Sequence, residues 1–89
     1  MEFVLLNTEG CHLCEEATPI VMRAAIEVGA QLFSEDIAES DHAQSYIEKY
    51  GQLIPVVLHE ESDTFLCWPF DVEAVIDLML TCFNQDVLA

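Results

Sequence analysis

Two cysteines, Cys11 and Cys14, are the residues of this sequence best suited to chemistry. They follow an apolar run at residues 3–6 and a turn-like segment at residues 7–10, and they open a long segment with helical periodicity. This spacing at a helix start places two thiols about one turn apart, close enough to form a disulfide. The N-terminal N–H groups and the positive end of the helix dipole stabilise a thiolate on the first cysteine, and the thiolate is the nucleophile. The pattern therefore predicts a reversible dithiol/disulfide pair.

Two further interpretations of the same pair stay open on sequence alone. A metal-binding pair needs additional ligands; the sequence has no second CxxC and no HxxxH, although His12 could supply a third donor. We therefore expect no metal site, and we keep as the alternative a non-enzymatic metal-binding or protein-interaction module. His12 also has two interpretations, either an imidazolium that favours the Cys11 thiolate or an ordinary exposed histidine.

The acidic composition restricts the partners. Seventeen Asp and Glu residues stand against two basic residues, Arg23 and Lys49, for a formal net charge of −15. Nucleic acid and anionic membrane surfaces are excluded as expected partners, because both are bound through Lys and Arg. The acidic residues either form a solvated surface that keeps an apolar chain dissolved or steer in a neutral or basic partner.

Length and cysteine usage bound the organisation of the chain. The 89 residues, 53 % of them hydrophobic, predict a single domain over residues 1–89 with one core. Four cysteines at irregular spacing do not resemble a secreted disulfide framework. The first residues carry no basic segment, and the run at residues 3–6 is too short for a signal or membrane segment. We therefore expect a cytoplasmic protein.

Hydrophobic periodicity predicts the elements that hold the pair. In the first half of the chain we expect a buried central strand at residues 2–6, a helix from the cysteines to Gly29, and a more exposed strand at residues 31–37. In the second half we expect a short helix from a Ser40 or Asp41 cap to Tyr50, a hairpin of strands 56–59 and 64–68, and a helix capped by Asp71. Cys67 and Cys82 fall at apolar positions and are predicted core residues. We expect His42 and His59 to be ordinary surface or strand residues.

This order of elements resembles the glutaredoxin branch of the thioredoxin-fold superfamily. The resemblance rests on Cys11-His12-Leu13-Cys14 after the first strand, Ile54-Pro55 before the third strand, and Asp71 at the last helix. The segments CHLCEE and GQLIPV are similar to those of small bacterial glutaredoxin-like proteins. The resemblance implies an α/β three-layer fold, with a four-stranded mixed sheet in the order 2-1-3-4 flanked by three helices, the first and last on one face.

The resemblance also implies roles at the site. Cys11 would be the nucleophile that attacks a substrate disulfide, and Cys14 would resolve the mixed disulfide. Pro55 would be a cis-proline beside the pair, and Ile54 would offer its backbone N–H and C=O to an extended substrate. Trp68 would lie near the site, as a core aromatic residue or as a platform for substrate.

The expected use of glutathione and the expected substrate class depend on the positions at which the sequence differs from typical glutaredoxins. Basic residues are missing at positions 7–10, Leu53 replaces a threonine, and residues 68–70 replace a Gly-Gly pair. Asp71 alone matches the family's glutathione contacts, where it would anchor the amino group. The expectation is thus no cofactor beyond the dithiol, weak use of glutathione as co-substrate, and a disulfide-containing protein or small thiol of neutral or basic character as partner.

Overall fold

A four-stranded mixed sheet with three helices makes up this computed structural model, which describes the backbone of residues 1–88 and the side chains of residues 1–83. The elements in chain order are β1 (Glu2–Asn7), α1 (His12–Val28), β2 (Gln31–Asp36), α2 (Ala43–Tyr50), β3 (Val56–His59), β4 (Thr64–Cys67) and α3 (Val72–Leu88). No helix within residues 1–88 is long and apolar enough to cross a membrane.

The strands lie in the order β2-β1-β3-β4, as expected. β1 pairs with β2 in parallel and with β3 antiparallel, so that Leu6 has Glu35 and Val56 as its two neighbours. β3 and β4 form the predicted antiparallel hairpin, in which Val56 pairs with Cys67. It follows from this register that the residues after β1, before β3 and after β4 all meet at one end of the sheet.

One face of the sheet carries the larger core. β1 contributes Phe3 and Leu5, both essentially inaccessible to solvent. Small and branched residues of α1 and α3 pack against them, among them Ala17, Val21, Ala24, Val75 and Met79. The first and last helices therefore share this face, as predicted. α1 ends at Gly29, whose φ of 75° is a left-handed conformation that glycine adopts without strain.

The other face is covered by α2. Tyr46 and Tyr50 of this helix pack on Leu6, Val56 and Leu58. The predicted cap at Ser40 or Asp41 is wrong, because the N-cap is His42 and its side chain makes no capping hydrogen bond. Ser40 instead forms the preceding turn, in which its Oγ accepts the His42 N–H at 3.1 Å.

Two residues at the hairpin loop make side-chain hydrogen bonds. His59 lies in β3 with 2 % of its surface exposed, and its Nδ1 is 2.7 Å from the Ser62 hydroxyl. Glu60 accepts a hydrogen bond of 2.6 Å from the Tyr46 hydroxyl. These contacts tie the loop to the sheet and to α2.

Tyr46→Phe is expected to lower the free energy of unfolding by about 1 to 2 kcal/mol, because the Glu60 carboxylate loses a charge-assisted hydrogen bond. Burial, the hydrogen bond to Glu60 and the nearby charge of Glu35 raise the pKa of Tyr46 well above its ordinary value. The folded protein therefore keeps a proton that the unfolded chain releases above about pH 10, so that stability falls as pH rises through that range.

Chemical denaturation between pH 7 and alkaline pH measures both effects. The wild-type protein should lose stability above about pH 10 more steeply than Tyr46→Phe does. Glu60→Gln is the matched variant, because it keeps an acceptor for the hydroxyl but removes the charge. Equal alkaline slopes in wild type and Tyr46→Phe would contradict the assignment.

Candidate active site

The loop between β1 and α1 delivers Cys11 to the start of the helix. Gly10 has a φ of 79°, which lets the chain turn before the cysteine. The Cys11 N–H donates to the Thr8 carbonyl at 3.3 Å, which closes the turn. Cys11 is the N-cap of α1, and its Sγ accepts the Cys14 N–H at 3.1 Å. A hydrogen bond to this sulfur favours a negative charge on it when the cysteine is reduced.

The two sulfurs of Cys11 and Cys14 are joined as a disulfide, and their Cα atoms are 5.2 Å apart. The two residues differ in access to solvent. Cys14 is 4 % exposed, whereas Cys11 is partly exposed. An external thiol or disulfide therefore reaches Cys11 more readily than Cys14.

Asp36, at the end of β2, supports the loop that carries Cys11. Its Oδ1 accepts the Thr8 hydroxyl at 3.3 Å and the Ala38 N–H at 2.8 Å, and its Oδ2 accepts the Glu9 N–H at 3.3 Å. The carboxylate thus links residues that are far apart in sequence. Periodicity placed Asp36 only at a strand end, and no local signal marks this role.

Asp36→Ala is expected to loosen the loop at residues 8–10 and to cost about 1 kcal/mol of stability, because the acceptors of Thr8 and Glu9 are removed. Hydrogen exchange of the Glu9 and Cys11 amides should become faster than in the wild type. Asp36→Asn keeps one carbonyl acceptor and should lie between the two. Unchanged exchange at both amides in Asp36→Ala would show that the carboxylate does not hold the loop.

The segment before β3 contains the expected proline. The Ile54–Pro55 peptide bond is cis, as predicted, and Pro55 is fully buried. One detail of the expectation is wrong: the Ile54 N–H was expected to face a substrate, but it donates to the Tyr50 carbonyl at 3.2 Å. This bond belongs to the turn that follows α2. Helical periodicity does not predict hydrogen bonds in such a turn.

Trp68 and Asp71 lie after β4. The Trp68 N–H donates to the Pro55 carbonyl at 3.1 Å, and its half-buried ring meets Phe70 edge to face at 5.0 Å between centroids. The Trp68–Pro69 bond is also cis, and no sequence pattern predicted it. Asp71 caps α3 as predicted, since its Oδ1 accepts the Ala74 N–H at 2.8 Å.

Sheet register brings these segments to one end of the molecule, which we call the dithiol end. Leu6 of β1 pairs with Val56, the residue after Pro55, and Val56 pairs with Cys67, the residue before Trp68. The loop to Cys11 leaves the same end of β1. Cys67 is partly exposed and packs against the core under α2, whereas Cys82 is fully buried, as predicted.

Acidic side chains surround the start of α1. His12 is 84 % exposed, and its Nδ1 lies 3.7 Å from a Glu15 carboxylate oxygen. Glu9 and Glu16 are exposed as well. The imidazole, when protonated, therefore faces a carboxylate of its own helix.

Comparison with known proteins identifies the family. A profile described as Glutaredoxin-like domain (DUF836) matches residues 2–80. The chain belongs to this glutaredoxin-like family. The glutaredoxin-like domain also superposes on the structure of thioredoxin 1 from the thermophilic eubacterium Thermosipho africanus TCF52B with a TM-score of 0.68 and 16 % identity, over 97 % of this chain and 98 % of that chain. That likeness establishes a thioredoxin-like fold. No curated protein matches the sequence.

The arrangement of possible metal ligands in the glutaredoxin-like domain is relevant to the alternative of a metal-binding module. Among the side chains of residues 1–83, no group of three or more His, Cys, Asp or Glu is placed to hold a metal ion. His12, the third donor considered from the sequence, contacts Glu15. The paired sulfurs of Cys11 and Cys14 at a helix start are the arrangement on which a redox function rests.

Proposed function

We propose that this glutaredoxin-like domain is a thiol–disulfide oxidoreductase. The observation that carries the proposal is the Cys11–Cys14 disulfide at the N-terminus of α1, with one sulfur accessible and the other buried. The greater exposure of Cys11 supports its role as the nucleophile and that of Cys14 as the resolving thiol. The hydrogen bond from the Cys14 N–H to Cys11 Sγ supports a thiolate at the attacking position.

The reaction transfers two electrons from the dithiol to a substrate disulfide. The Cys11 thiolate attacks one substrate sulfur, the substrate S–S bond breaks, and the second substrate sulfur leaves as a thiolate that takes up a proton. Cys14, deprotonated, then attacks Cys11 Sγ in the mixed disulfide. The first substrate sulfur leaves, and the Cys11–Cys14 disulfide forms. Two molecules of an external thiol restore the dithiol: the first attacks Cys11 Sγ and releases the Cys14 thiol, and the second attacks the sulfur of the first, which releases Cys11 and leaves the two external thiols joined as a disulfide.

Substrate contacts are proposed at the dithiol end. An extended substrate segment would lie beside cis-Pro55. The Ile54 N–H already donates to the Tyr50 carbonyl, so the substrate would not accept a hydrogen bond from it. A backbone N–H of the substrate would instead donate to the Ile54 carbonyl. The half-buried Trp68 ring would contact apolar substrate groups. His12 would favour the thiolate when protonated, and the exposed Asp71 would meet a substrate amino group.

Charge determines the substrate class in this proposal. A net charge of −15 and exposed Glu9, Glu15 and Glu16 beside the dithiol favour neutral or basic disulfide substrates. Glutathione carries carboxylates at both of its ends and is proposed as a poor co-substrate.

A thiol count of the purified protein across a series of redox buffers tests the proposal. We expect one two-electron transition that disappears in Cys11→Ser and persists in Cys67→Ser, the matched control for loss of a thiol elsewhere. Metal analysis of the same samples addresses the alternative function. A stoichiometric metal that a chelator releases, without a redox transition, would overturn the proposal.

A further inference from the structure

α2 covers only part of its face of the sheet. The helix has eight residues and packs over Leu6, Val56 and Leu58. Beyond it, Val4 of β1 and Phe33 of β2 pair directly in register, so that their side chains stand side by side on this face. Phe33 is 49 % exposed, and Val4 is half-buried. Val4 also packs against the cluster under α2, so the apolar floor formed by these two residues is open to solvent mainly at Phe33.

Carboxylates surround this floor. A groove of about 970 Å³ lies over Val4 and Phe33, and four acidic residues line it: Glu2, Glu35, Glu60 and Glu61. They come from β1, β2 and the hairpin loop, so acidic groups stand on both sides of the floor. Its described lining contains no Lys or Arg side chain. We call this surface the acidic groove.

We propose that the acidic groove binds an extended basic segment of a partner protein. In an extended chain, successive side chains point to opposite sides, so apolar residues on one side would lie on Val4 and Phe33. Lys or Arg residues at the margins would pair with the carboxylates of Glu2, Glu35, Glu60 and Glu61. Charge complementarity selects this occupant, since a second copy of the chain also carries −15 and would be repelled.

The acidic groove lies on the sheet face that α2 covers, whereas α1, which begins at Cys11, packs on the other face. β1 runs from Glu2 in the groove to Asn7 before the Cys11 loop, a path of about 16 Å at the rise of a strand. A segment bound in the groove would therefore leave Cys11 open to solvent. Docking here would hold the redox domain beside a basic partner without occupying its dithiol, which is a function separate from disulfide exchange.

Binding of a fluorescent peptide tests the proposal. The probe is a short, end-blocked peptide of alternating lysine and valine, and two control peptides replace valine by serine or lysine by glutamate. The groove variant is Glu2→Gln with Glu61→Gln, and the matched control, Glu73→Gln with Asp77→Asn, removes the same charge from the exposed side of α3. Phe33→Ser tests the apolar floor.

We expect affinity for the lysine–valine peptide to fall about threefold to tenfold in the groove variant and in Phe33→Ser, and to change little in the α3 control. Amide shift changes should centre on Val4 and Phe33 and leave Cys11 unmoved. Equal losses in groove and α3 variants, or equal binding of the serine peptide, would reduce the attraction to net charge and overturn the proposal. A concentration-dependent dimer that Phe33→Ser dissociates would also overturn it, because a second copy would then be the occupant.

Discussion

Cys11→Ser is expected to abolish reduction of disulfide substrates, whereas Cys14→Ser should stop the cycle one step later. A serine hydroxyl is not ionised near neutral pH, so the first variant has no nucleophile at the accessible position. We expect a rate loss of roughly three orders of magnitude or more. Cys14→Ser keeps the attacking thiolate, but it cannot resolve the mixed disulfide that forms.

Mass spectrometry of the protein after reaction with a peptide disulfide separates the two steps. Cys14→Ser should carry one peptide attached through Cys11, and Cys11→Ser should carry none at the dithiol. Cys67→Ser is the control, because that thiol is at the end of β4 and has no proposed part in exchange. A peptide trapped on Cys14 in the Cys11→Ser variant, with retained activity, would reverse the assigned roles.

Substrate charge is expected to decide the rate of exchange at low salt. Neither basic side chain is at the dithiol end: Arg23 lies about 18 Å along α1 from Cys11, and Lys49 donates to Asp63 in the hairpin loop at 2.9 Å. Glu9, Glu15 and Glu16 are close in sequence to the dithiol and exposed. We therefore expect the site to attract basic disulfides and to repel the carboxylates of glutathione.

We expect the ratio of the rates for a lysine-flanked disulfide peptide and a glutathione mixed disulfide to fall about tenfold between low and moderate ionic strength. Glu9→Lys should raise the glutathione rate and increase the thiolate fraction of Cys11 at neutral pH, which thiol absorbance measures. Glu73→Lys, on α3, is the matched charge reversal away from the dithiol. Fast glutathione turnover that salt does not change would contradict the electrostatic explanation.

Local sequence signals and family resemblance predicted different parts of this structure. Periodicity and turn residues located each strand and helix, because side-chain alternation and caps are local properties. The sheet order and cis-Pro55 came from the resemblance, since neither follows from the pattern of single elements. The predicted cap of α2 was wrong because Ser40 forms the turn before the helix and does not cap it.

The remaining features depend on contacts between distant residues. Asp36 and Thr8 are 28 positions apart, and Tyr46 and Glu60 are 14 apart, so no local window contains both partners. The engagement of the Ile54 N–H depends on how the chain leaves α2. The acidic groove was beyond prediction for the same reason, since the sequence shows the carboxylates but not the sheet face that they share.

The sulfur proposed to attack the substrate is also the acceptor that begins α1. A thiolate accepts the Cys14 N–H more strongly than a disulfide sulfur does, so the first turn of the helix should be most ordered in the reduced protein and least ordered in the mixed disulfide. That loosening occurs on the residue that must move next, because the amide involved is that of Cys14. Fraying of the first turn of α1 would then affect the rate at which Cys14 attacks the mixed disulfide. Substitutions in this turn that do not contact either sulfur would change the lifetime of the mixed disulfide.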